Sequence, residues 1–250
     1  MKLPTFLIIG AQRSGTTALR KNLNLHPSIE IYDGEICFFQ PKNYDKGLDW
    51  YLSHFKSHKE VIGEKCPMYM YKSQALKNIH ATLPDIKLIA ILREPVTRAI
   101  SQYVKAIKTS TPNSKRSLDS IIDRDIKDVE NGLMERSDGV LQRGIYSCQI
   151  KNVINLFNKN NLKIIIFEDL LYDSHYIYSS IFDFIEVSND TSFITNDGWN
   201  VRLDGKLSRK AWSDIHIEDK TVDRLIDFYK PYNEILRTLI GRDLKEWEFD

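Results

Sequence analysis

Short apolar runs alternate with stretches of helical periodicity through the first half of the chain, the pattern of a parallel α/β sheet. Leu3–Ile9 is predicted as a buried strand and Ser14–Leu25 as the helix after it, ending before His26-Pro27. Ile29–Tyr32 and Val61–Gly63 are short and β-like, while Tyr44–Phe55 and Ser73–Thr82 carry helical patterns. Lys87–Leu92 is a run of apolar residues after one lysine, as expected of a strand covered on both faces. Pro95 opens a predicted helix to about Ile107, proline being favoured at the first helical position.

The second half keeps the alternation but dilutes it. Thr109–Arg116 is a polar loop, Ser117–Asn131 a strongly charged surface helix, and Ser147–Phe157 a helix with Ile150, Val153, Ile154 and Phe157 on one face. Leu162–Phe167 is a further buried strand and Ser174–Ile185 a helix. Ser188–Ser213 is long and polar, and a loop of that length in a compact domain is usually functional. The last amphipathic segment carries Val222, Leu225, Ile226 and Tyr229; Pro231 is expected to break it, with a separate final helix around Leu236, Leu239 and Ile240. With no internal repeat and no linker, the reading is one α/β domain over residues 1–250, with a central, mostly parallel sheet flanked by helices.

Composition narrows the function classes. In 250 residues, 42% are hydrophobic and 28% charged, so a sizeable core forms without a membrane. A formal net charge of +1 argues against a general polyanion binder, though not against local basic clusters, and no nucleic-acid partner is expected. Cys37, Cys66 and Cys148 are odd in number and widely spaced, which argues against a disulfide framework and against a CxxC metal site; reduced, half-buried thiols are expected. His54 and His58 stand four apart without an acidic partner at ligand spacing, so no metal is predicted. The apolar run Phe6–Ile9 is too short for a membrane span or a signal sequence, and the expectation is a cytoplasmic protein.

The chemistry begins at Gly10-Ala11-Gln12-Arg13-Ser14-Gly15-Thr16-Thr17, which follows an apolar strand and opens a helix. Glycines allow a tight turn that aims backbone N–H groups at an anion, and the helix N-terminus adds partial positive charge. Ser14, Thr16 and Thr17 add hydroxyl donors, and Arg13 a cation. The G-x4-G spacing resembles a nucleotide kinase loop, but Thr16 stands where that loop requires lysine.

A second block, Arg93-Glu94-Pro95-Val96-Thr97-Arg98-Ala99-Ile100-Ser101, follows the strand 87–92. Arg93 sits just past the strand's C-terminal end, where ligands of open α/β sheets bind. Ser101 lies about two turns into the next helix, so the two side chains can converge on one anion. Arg98 is read as a surface ion pair with Glu94 at i,i+4, with the alternative that it joins that anion.

The two blocks resemble the 5′-phosphosulfate loop and the 3′-phosphate motif of sulfotransferases that use 3′-phosphoadenosine 5′-phosphosulfate (PAPS). In that pattern a basic residue precedes S/G-G-T and an Arg is followed eight residues later by Ser, which fall here on Arg13, Arg93 and Ser101. Gly34-Glu35-Ile36-Cys37-Phe38-Phe39, Tyr44-Asp45-Lys46-Gly47, Gly63-Glu64-Lys65-Cys66-Pro67, Phe228–Asn233 and Gly241-Arg242 are similar to segments of the heparan sulfate branch. Those relatives are usually anchored Golgi proteins; without an anchor this chain looks more like a bacterial or viral member. The resemblance implies a P-loop-like sulfotransferase fold, PAPS as donor and 3′,5′-adenosine bisphosphate as product, with no metal. Donor contacts would come from Gln12, Arg13, Ser14, Gly15, Thr16, Thr17, Arg93 and Ser101.

Sulfuryl transfer needs a base at the acceptor and cations at the leaving group. By similarity the base is Glu35, against the plainer alternative of a solvated loop carboxylate, and Lys65 lies near the sulfuryl group, against that of a surface strand-end lysine. Arg13 replaces the family's usual lysine; a guanidinium stays protonated, so it would stabilise leaving-group charge without donating a proton. The basic run 205–210 corresponds to the loop that closes on the donor's 3′-phosphate, with Arg209 and Lys210 favoured over Lys206. Arg143-Gly144-Ile145-Tyr146 is similar to a segment near the active site of bacterial members, though Tyr146 also fits a core position. Gly34 and Cys37 stand where the heparan branch often has Lys and His, which counts against a heparan-like acceptor. A carbohydrate hydroxyl or amine is the expected acceptor, with a lipid, small alcohol or phenol as the alternative, and a kinase or a non-catalytic nucleotide binder behind both.

Overall fold

The computed structural model describes residues 2–55, 58–194 and 217–248. In chain order the elements are β1 (Phe6–Gly10), α1 (Thr16–Leu23), β2 (Ile29–Ile31), α2 (Pro41–Tyr44), α3 (Leu48–Leu52), β3 (Val61–Lys65), α4 (Ser73–Thr82), β4 (Lys87–Leu92), α5 (Pro95–Lys108), α6 (Leu118–Glu130), α7 (Tyr146–Leu156), β5 (Leu162–Ile166), α8 (Phe167–Tyr172), α9 (Ser174–Ile185) and α10 (Asp219–Ile240). The chain divides into two compact units, one of residues Met1–Leu92 with Asn152–Val201, the other of Arg93–Lys151 with Arg202–Asp250.

The first unit holds the sheet. Its five strands run in the order β2-β3-β1-β4-β5, and every pairing is parallel. β1 is buried along its whole length, which is why it is apolar throughout instead of alternating. Phe6, Ile8, Leu19, Leu23, Ile89, Ile91, Ile165 and Phe182 belong to one continuous core. Val61–Gly63 was expected as the third strand; β3 instead continues through Glu64 and Lys65, both buried. Two charged residues at buried strand positions break the apolar pattern that marks a strand in sequence. The helix expected over Tyr44–Phe55 is two short helices, α2 and α3, because Gly47 turns the chain between them at φ 84°.

The second unit is helical around a core of Val96, Ile100, Ile121, Ile122, Leu141, Ile145, Leu225 and Tyr229. Glu94 caps α5, its carboxylate accepting from Val96 N and Thr97 N at 2.7 and 2.6 Å. Arg98 is not on the surface: it is fully buried, donating to Gln102 Oε1 at 2.7 Å and to the Val140 carbonyl at 2.5 Å. It ties α5 to the segment before α7, a role its i,i+4 spacing from Glu94 does not encode. Asp125, also fully buried, accepts from the Val140 and Leu141 amides at 2.6 and 2.9 Å and pairs with Arg124. Pro231 does not break the last helix, and α10 runs through it as one element. Leu225, Tyr229 and Leu236 are buried on either side of it, so tertiary packing outweighs the lost backbone hydrogen bond.

The cysteine expectation is also corrected. Cys37 and Cys66 form a disulfide with a Cα–Cα distance of 5.3 Å, and the third, Cys148, is free and exposed. The partners are 29 residues apart in sequence, but the loop after β2 returns to the end of β3, and sequence spacing gives no view of that proximity.

Candidate functional site

The glycine-rich turn lies between β1 and α1, at the C-terminal end of a central strand. Its backbone is bent by two positive φ angles, 70° at Arg13 and 91° at Gly15, and Gly15 occupies the N-cap of α1. Ala11 N donates to the Ile91 carbonyl at 2.7 Å and Ser14 N to the Ala11 carbonyl at 3.2 Å, which fasten the turn to the sheet. No side chain caps α1, which leaves its first amides for another acceptor. Ser14 is fully buried, and its Oγ takes no hydrogen bond among the described residues. A buried hydroxyl without a partner at a helix N-terminus is suited to an anion's oxygen. Arg13 and Thr17 are exposed, while Thr16 is buried.

From that turn the site extends to β3. Lys65, whose side chain is only 5% exposed, places Nζ 2.5 Å from Glu35 Oε1 and 3.3 Å from Thr17 Oγ1. The Glu35 carboxylate is held on one oxygen while its side chain remains 46% exposed. Three residues from three segments thus meet: Thr17 on α1, Glu35 on the loop after β2, and Lys65 at the end of β3. The lysine is therefore not a solvated strand end. A carboxylate open to solvent on one side and steadied by an ammonium can accept a proton from an incoming group, and the same ammonium can face developing negative charge.

Behind Glu35 lies a buried polar cluster that the residue pattern does not announce. Glu64 Oε1 accepts from Cys37 N at 2.8 Å and from Tyr69 Oη at 2.7 Å, and Oε2 accepts from Tyr51 Oη at 2.7 Å. Burial pushes the Glu64 carboxyl up, opposed by the hydrogen bonds it receives from Tyr51, Tyr69 and the loop backbone. Burial, and then the neighbouring carboxylate, push both tyrosines well up. Tyr51 stacks on Phe38 with ring centroids 4.3 Å apart, and Asn43 Nδ2 donates to the Ile36 and Cys37 carbonyls. The one signal available in sequence is a glutamate directly after the short β-like run Val61–Gly63.

Arg93 and Ser101 belong to the second unit, Arg93 immediately after β4 and Ser101 on α5. The Arg93 carbonyl accepts from Tyr146 Oη at 2.9 Å; Tyr146 is fully buried and its ring lies 5.9 Å from that of Trp247, so it is a core residue. Lys206, Arg209 and Lys210 lie outside the described residues. Among the described residues no group of His, Cys, Asp and Glu could hold a metal, and no helix is long and apolar enough to cross a membrane.

Residues 3–197 match the family model of the sulfotransferase domain. Among curated proteins, heparan sulfate glucosamine 3-O-sulfotransferase 3B1 of Homo sapiens is 29% identical over 97% of this chain and 64% of its own length. The bifunctional heparan sulfate N-deacetylase/N-sulfotransferase 1 of Xenopus laevis is 26% identical over 98% of this chain and 31% of its own length. The chain thus spans less than two thirds of these relatives. Among solved structures, a sulfotransferase from Alicyclobacillus acidocaldarius superposes with a TM-score of 0.78 at 22% identity, covering 99% of both chains. The sulfotransferase domain of the Synechococcus olefin synthase superposes at 0.54 with 16% identity, over 97% of this chain and 96% of its own.

Proposed function

The chain belongs to the sulfotransferase family, and from that premise we propose that it moves a sulfuryl group from PAPS to a carbohydrate hydroxyl or amine. The observation that carries this reading is the meeting of Glu35, Lys65 and Thr17 beside the glycine-rich turn. In the proposed reaction the acceptor oxygen or nitrogen attacks sulfur in line. The bond between sulfur and the bridging oxygen of the donor breaks, the acceptor proton passes to Glu35, and 3′,5′-adenosine bisphosphate leaves. Lys65 and Arg13 face the negative charge that grows on that bridging oxygen. Gln12, Ser14, Gly15, Thr16 and Thr17 hold the 5′-phosphate through backbone amides and hydroxyls, and the unpartnered Ser14 Oγ supports that assignment. Arg93 and Ser101, with Arg209 and Lys210, hold the 3′-phosphate.

The carbohydrate acceptor rests on the names of the heparan sulfate relatives. The contacts need not be theirs: Cys37 is consumed in a disulfide and Gly34 carries no side chain. Glu35→Gln should lower turnover by ~10²–10⁴-fold, the range for a lost general base, and leave bisphosphate binding intact. Titration calorimetry with 3′,5′-adenosine bisphosphate should show binding that Arg93→Ala removes, with ATP–magnesium weak in parallel. Strong ATP binding without a response to the bisphosphate would overturn the donor assignment in favour of a kinase. Turnover with a lipid alcohol or phenol but not with an oligosaccharide would move the acceptor class.

A further inference from the structure

Three consecutive residues at the end of β3 grip the loop that carries Glu35, each in a different way. Lys65 takes the Glu35 side chain at 2.5 Å, Glu64 accepts from the Cys37 amide at 2.8 Å, and Cys66 bonds covalently to Cys37. Cys37 needs such a grip, since its φ is 48°, a conformation few side chains with a Cβ adopt. Glu64 is itself fully buried and held by Tyr51 and Tyr69, both fully buried. Its carboxylate is therefore a fixed point of the sheet, not a mobile surface group.

We propose that Glu64 is a positioning residue for the reaction, fixing the Cys37 backbone so that the Glu35 carboxylate stays against Lys65 and faces the acceptor. The inference rests on the proposed role of Glu35 as base. Strand alternation explains the division of labour: Lys65 and Glu64 point to opposite sides of β3, one reaching the loop's side chain and the other its backbone. A base displaced by about 1 Å loses on the order of 10²-fold in rate, so an anchor two residues away has direct consequences.

The test uses the full chain with PAPS and a desulfated heparan oligosaccharide, reading release of 3′,5′-adenosine bisphosphate. Glu64→Met removes every acceptor at nearly constant length. It should lower kcat by about 10²-fold while the KM for PAPS stays within about twofold. Glu64→Gln retains a carbonyl oxygen for the Cys37 amide and should recover most of the lost kcat. If the methionine variant fails to fold, combining it with Tyr51→Phe removes the hydroxyl left unpaired, while Tyr69 is kept because its oxygen also accepts from the Phe39 amide at 3.2 Å, and the same kcat loss is expected. Wild-type kcat in a folded methionine variant would mean that the disulfide and the loop's other contacts hold it without Glu64, and the proposal falls. A glutamine variant as slow as the methionine one, or a parallel rise in the KM for PAPS, overturns it as well. If the wild type releases no bisphosphate, the acceptor reading fails on its own account. The Glu64 anchor is then judged by deuterium exchange of the 36–39 amides, slow in wild type and Glu64→Gln and fast in Glu64→Met, with equal rates overturning it.

Discussion

At the scale of single residues, the candidate site turns on one lysine with two contacts. Lys65 touches Glu35 and Thr17 together, so removing it should disturb both the proposed base and the turn. Lys65→Met is expected to lower turnover by ~10²–10³-fold, the usual range for a lost electrostatic contact to transition-state charge. The check is single-turnover kinetics beside calorimetric binding of the bisphosphate. Another residue-scale prediction concerns acid stability. Burial alone would raise the Asp138 carboxyl, but Arg124 and Arg136 outweigh it and hold it below the usual aspartate range. Because the folded value lies below the unfolded one of ~3.9, this stabilisation is complete above the ordinary aspartate range. It is lost as the pH falls through the folded value. Asp138→Asn should therefore flatten the acid side of the stability–pH curve measured by urea unfolding; an unchanged acid limb would remove Asp138 as its source.

At the scale of elements, α10 carries a testable conflict between local propensity and packing. Pro231 is exposed within a 22-residue helix and supplies no N–H to the preceding turn. Pro231→Ala should raise unfolding stability by about 1–3 kcal/mol, read from denaturant midpoints. A loss of stability would mean that the proline ring itself is needed for packing on both flanks. The same helix shows what sequence reading reaches and where it stops. Ser73–Thr82, Lys87–Leu92 and Ser174–Ile185 were legible to the residue, because their patterns are long, one-faced or apolar past the first residue, and the last is capped locally by Asp173. Pro231 was misread because its cost is local while its compensation is not. The strand–turn–helix around the glycines was legible because its parts lie together in sequence. Glu64 with Tyr51 and Tyr69, the burial of Arg98 and the Cys37–Cys66 bond were not, since each depends on partners brought together only by the fold.

At the scale of the whole molecule, the disulfide bears on where the protein works. Disulfides persist in oxidising compartments and are rare in reducing ones, which pulls against a cytoplasmic setting. Closing a loop of this length is worth about 3–4 kcal/mol on the chain-entropy account. Cys66→Ser, or a reductant in the buffer, should lower the unfolding temperature accordingly, and a thermal scan with and without dithiothreitol reads this. An unchanged temperature would show that the bond adds nothing to the hydrogen bonds already holding the loop.

That bond also changes what a cut in the chain would do. Residues 40–60 lie inside the covalent ring it closes, and Lys42, Lys46, Leu48 and Asp49 are exposed to any trypsin-like or other protease that passes. A nick there would place Glu35 on one fragment and Lys65 on the other, yet the two would remain one molecule. The nicked protein would run as a single band on a non-reducing gel and as two after reduction, with its two candidate catalytic side chains still tethered to the same sulfur bridge, Glu35 two residues from one end and Lys65 one residue from the other.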